Sequence, residues 1–150
     1  MTSQFDFTNS QWNDIASLPV LVGYAVARAE DSGRVGSYLE IRALVNNIAE
    51  RAPDTAARGL IEAISTMDVR DKLDEYEPYA ADLLADIAVA ACDAIAGVID
   101  DKAEPEEAIS YKQWVLGVGE HVADAAREQG VRRSDPETSL LARVKTAFDL

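Results

Sequence analysis

Apolar side chains recur along most of this chain at three- and four-residue steps, and no stretch alternates convincingly with a period of two. That spacing belongs to helices, because residues three and four apart share one face. Capping residues and prolines then divide the pattern into segments. In "FTNSQW" Thr8 is placed as an N-cap, with Gln11 three residues on to complete a capping box. Phe7 and Trp12 flank the cap as a hydrophobic staple. The first helix therefore starts here. Pro19 lacks an N–H and clashes with the preceding turn, so a kink or break is predicted near Ser17–Leu18. The helix then resumes through "VLVGYAVARAED" and stops at Ser32–Gly33.

Ser37 and Glu40 repeat the capping-box signature. Leu39, Leu44, Val45 and Ile48 give this second helix its apolar face, and Pro53 ends it. Asp54 is placed to cap a third helix carrying Leu60, Ile61 and Ile64 as far as about Met67, with 68–77 a loop or short turn. Pro78 fits the first turn of a fourth helix, where Leu83, Leu84, Ile87, Ala91, Ile95 and Val98 form a broad stripe. Pro105 opens a fifth, with Tyr111, Trp114, Val115, Val118, Val122 and Ala125 on its apolar side and Gly130 as its stop. Asp135 caps a sixth at Pro136, and Leu140, Leu141, Val144 and Phe148 are its buried side. Short connections favour antiparallel neighbours. The expected architecture is all-α: a single compact bundle of five to six mostly antiparallel helices, one domain over 1–150 with residues 1–6 flexible.

Composition supports that picture and narrows the function. At 150 residues and 48% apolar, the chain has the length and the side chains for one cored domain. A net charge of −13 argues against nucleic acid and against an anionic membrane surface, since both demand clustered Lys and Arg. The longest apolar runs, "LPVLVGYAVARA" and "IAVAACDAIAGVI", are respectively too short for a bilayer and interrupted by Asp93. The opening residues lack the basic start and apolar run of a signal peptide. The lone Cys92 cannot form an internal disulfide and suits a reducing, cytoplasmic setting.

The charge is uneven. Residues 1–67 sum to −3, residues 68–107 to −10, and residues 108–150 to zero. Within the acidic third, Asp82, Asp86 and Asp93 fall on one helical face at spacings of four and seven. Two readings compete: a solvated outer face, or a docking surface for a basic partner, whose association a negative patch would accelerate. A divalent-cation site is a third thought, but "DVRDKLDEYEPY" and "DDKAEPEEAISY" lack the glycine turn and alternating ligands of an EF-hand loop.

The only histidine, His121, lies seven residues beyond Trp114 and three before Asp124, at the edge of the fifth helix's apolar stripe. It reads as a partly buried histidine held by a carboxylate. A metal site would need ligands the chain does not offer nearby, since Glu120 is adjacent and faces elsewhere. Nucleophile-elbow, glycine-rich-loop and Cys-x-x-Cys patterns are all missing from the sequence. Gly117 and Gly119 each cost a helix about 1 kcal/mol relative to alanine. Close contact with a neighbouring helix or a ring such as Trp12 is the reading, and space for a ligand is the alternative.

"YKQWVLGVGEHVADAARE" followed by "SDPETSLLARVKTAF", together with "LPVLVGYAVARAEDSG", resembles small bacterial helical proteins of unassigned function, a resemblance that implies a fold and no activity. "AVARAEDSGRVGSYLE" is also faintly similar to the helix–turn–helix of tellurite-resistance B-like domains. Ser32 interrupts the Asp-Gly expected there, so no metal-binding residue is carried over.

The expected function is that of a protein-interaction or scaffold module, working through the acidic face of Asp82, Asp86 and Asp93 and an exposed apolar strip on one helix. Its expected partner is a protein, basic where it meets that face, with self-association as a second use. No nucleic acid, membrane, cofactor, metal or catalytic residue is expected. The alternative is a small-molecule or metal-binding bundle with a pocket near Trp114, His121, Asp124 and Cys92.

Overall fold

The computed structural model describes residues 1–29, 56–66, 74–125 and 135–150. Among these residues there is no strand. The elements are a 3₁₀ turn at Gln4–Asp6 and five helices: α1 (Asn9–Ala29), α2 (Arg58–Ser65), α3 (Ala81–Lys102), α4 (Pro105–Ala125) and α5 (Asp135–Ala147). The all-α bundle expected from periodicity is the observed fold. The expected second helix over Ser37–Pro53, the cap at Asp54 and the stop at Gly130 lie outside the described residues.

The bundle is organised around α1. Its start is the one expected: the Thr8 hydroxyl accepts from the Gln11 N–H at 3.1 Å, and the Gln11 side chain accepts from the Thr8 N–H at 3.0 Å. The Phe7 and Trp12 rings stack across the entry at 6.3 Å. Every residue from Leu18 to Ala27 is buried. An apolar run without a polar face can be stable only as a central helix, and α3, α4 and α5 pack around this one. No described helix is long and apolar enough to cross a membrane.

The break expected at Ser17–Leu18 does not occur. Helix α1 is continuous from Asn9 to Ala29 with Pro19 inside it. Proline at this position withdraws the N–H that would bond the carbonyl four residues back, which is the carbonyl of Ile15. The buried hydroxyl of Tyr111, on α4, donates to that carbonyl at 2.6 Å. The sequence-local penalty is met by a side chain 96 positions away.

Pairwise contacts fix the directions. Ile15 meets Tyr111, and Gly119 faces Val22 and Val26, so α1 and α4 run parallel. Lys102 at the end of α3 reaches Gln11 at the start of α1 (2.8 Å), while Arg28 at the end of α1 donates to the Tyr79 and Glu77 carbonyls (3.0 and 3.3 Å) just before α3. Those two helices are therefore antiparallel. Helices α3 and α4 form a hairpin in which Lys112, buried along its stem, donates to both carboxylate oxygens of Asp100 at 2.7 and 2.8 Å. Pro105 opens α4 as expected, whereas Pro78 sits in the turn before α3 and Asp135 is itself the first residue of α5.

The first residues make specific contacts. The Thr2 N–H donates to the buried Glu107 carboxylate at 2.9 and 3.2 Å, the Thr2 hydroxyl donates to it as well, and Ser3 and Asp6 close a small capping box. Glu107 also accepts from the Glu104 N–H at the start of α4 (3.4 Å). Burial would raise its pKa, but these hydrogen bonds outweigh it and hold the carboxyl below its ordinary value.

Candidate functional site

Asp82, Asp86 and Asp93 project from one side of α3, all exposed, as their spacing predicts. Helix α5 runs beside α3 in the same direction, and a shallow groove of about 700 Å³ lies between them. Val89, Ala90, Ala142 and Ala147 give it an apolar lining, with Asp86 and Asp93 on one edge and Arg143 on the other. Towards the start of both helices it continues into a hollow of about 320 Å³, which Asp82 borders and which shares Asp86, Ser139 and Arg143 with the main groove. The three carboxylates picked out from spacing therefore line a single trough. Across it the Arg143 guanidinium donates from Nη2 to Asp86 Oδ1 at 2.8 Å, with both side chains largely in solvent.

The outward side of α3 continues this surface. Leu83 is 49% exposed, Ala90, Ala94 and Gly97 are exposed, and Ile87 is half-buried between them. Their spacing of four, three, four and three residues is the stripe a helix offers to another helix. Leu83 was expected in the core on periodicity. It lies instead at the wet margin of the stripe, because α3 buries only its other side, through Leu84, Ala88, Cys92, Ile95, Ala96 and Ile99.

The alternative pocket residues are placed differently. Cys92 is fully buried, and burial pushes its thiol up to about 12. Trp114 is buried with its ring tilted against Tyr111 at 6.4 Å, and its Nε1–H finds no acceptor among the described residues. His121 and Asp124 are half-buried, two turns and more beyond Trp114 on α4. The hollows along α3 and α5 and at the foot of α4 are lined by other side chains. Among the described residues, no three of His, Cys, Asp and Glu converge as metal ligands would.

The glycines of α4 divide. A Cβ on Gly119 would lie 3.0 Å from Leu141 Cδ2 and 3.2 Å from Val22 Cγ1, so this position is close helix packing, as expected. At Gly117 a Cβ would meet nothing within 4 Å.

Sequence reasoning missed Arg143, Ser139 and the alanines of α5. Their chemistry is ordinary, and only the lateral pairing of α3 with α5 gives them a place in the trough. No family model, no curated protein and no solved structure matches the chain.

Proposed function

We propose that this protein is an interaction module whose working surface is the α3–α5 trough, and that its partner is a protein presenting basic side chains. One observation carries the reading: three carboxylates from one helix border a groove whose lining is otherwise mostly small and apolar. Apolar contact supplies affinity, while the carboxylates supply orientation and association rate. The net charge of −10 over residues 68–107 extends the field that draws such a partner in.

The test is capture on immobilised protein at low and high salt. A basic partner binds at low salt and is released as salt rises, because exposed charges are screened within about 10 Å at 0.1 M. Asp82→Lys with Asp86→Lys abolishes capture while the helical circular-dichroism spectrum is kept. Capture that survives the double reversal removes the trough as the docking surface.

A further inference from the structure

Resting on that reading, we infer that the occupant of the trough is a helix bearing arginines, and that Arg143 is a placeholder which this helix displaces. Two parallel helices with alanines facing the gap form the kind of groove into which a third helix can settle, because small side chains let helix axes approach to about 8–10 Å. Ala90 on α3 and Ala142 and Ala147 on α5 are those side chains. From Asp82 to Asp93 the carboxylates extend eleven residues along α3, about 16 Å at 1.5 Å per residue, or three helical turns. A docked helix parallel to α3 meets all three with basic residues spaced by four and then seven, and an antiparallel one with the reverse order.

Arg143 shows what the acidic edge accepts. Its guanidinium already occupies Asp86, reaching across from the opposite wall. That pair is weak and replaceable, since the Arg143 and Asp86 side chains are 45% and 67% exposed. Its bond is also single, from one nitrogen to one oxygen, so the fork across both carboxylate oxygens that Asp86 can accept from a guanidinium is not made. An incoming arginine therefore gains a fork that Arg143 does not make, and Arg143 swings out to solvent. Arginine suits this exchange better than lysine, whose ammonium is a point charge without the planar fork that matches a carboxylate edge.

The experiment measures binding of a labelled alanine–leucine helical peptide with arginines spaced by four and seven. The comparators are a peptide of the same composition with the arginines redistributed, and one with lysines at the same positions. The full chain is used as wild type, Arg143→Gln and Asp86→Asn. Arg143→Gln is expected to tighten binding roughly two- to five-fold, the worth of an exposed ion pair. Asp86→Asn is expected to weaken binding and to erase most of that gain when combined with it. The redistributed peptide and the lysine peptide are expected to bind more weakly. If wild type binds but Arg143→Gln is no tighter, the placeholder is wrong while the trough stands. If the redistributed peptide binds equally, the helical register is wrong. If neither wild type nor Arg143→Gln binds any of the peptides at low salt, both this inference and the interaction reading fall.

Discussion

At the scale of single residues, the telling triad is Pro19, Ile15 and Tyr111. Phenylalanine at 111 preserves shape but leaves a buried carbonyl without its donor, a loss of about 1–3 kcal/mol. Alanine at 19 restores the backbone N–H to that same carbonyl. Denaturant titration of the double-mutant cycle should therefore show Tyr111→Phe costing distinctly less in the Pro19→Ala background than in the wild type. Equal costs would mean that the hydroxyl serves something other than the proline's vacancy. Glu107 gives a second residue-level expectation. Its folded-state pKa is depressed, so its contribution is fully present above the unfolded value of about 4.3 and disappears as pH falls through the lower folded value. Melting of Glu107→Gln and wild type should differ most near neutrality and converge in acid. A gap that stays constant with pH would remove the charge from the account.

At the scale of elements, α4 is held between α1 and α5, and its two glycines report on that contact separately. Gly117→Ala fills open space and recovers helix propensity, so a gain of roughly 0.5–1 kcal/mol is expected. Gly119→Ala gains the same propensity but pushes against the stiff Val22 and against Leu141, and overpacking costs about 1–3 kcal/mol. Thermal melts should rank Gly117→Ala above wild type and Gly119→Ala below Gly117→Ala. Helix starts were legible where their signals are local: Thr8 with Gln11, Phe7 with Trp12, and Pro105 were all readable from the sequence. Pro19 misled because its compensation comes from Tyr111, far along the chain. Leu83 misled because periodicity gives a face its width but not its cover.

At the scale of the whole molecule, the fold class was written in the periodicity, and the three aspartates were readable as one face. The trough they border was not, because it exists only once α5 lies beside α3, and no local pattern encodes lateral pairing. Cys92 offers a global readout of the assembled core. Its thiol is fully buried and held up to about 12, and thiolate is the reactive form. Maleimide labelling at neutral pH should be slow in the native protein and accelerate in denaturant in step with unfolding. Fast labelling without denaturant would reveal a local opening around α3.

The enclosure of α1 has a consequence for biosynthesis. Among the described helices the most thoroughly covered one, α1, is made before those that pack on it, and α5 follows roughly a hundred residues later. A growing chain on the ribosome therefore carries "PVLVGYAVA" without its full cover until α5 has been made, which is the interval in which a sticky nascent segment is exposed to chaperones or to its neighbours. Release of a chain cut short before Asp135 leaves that segment permanently bare on its α5 side.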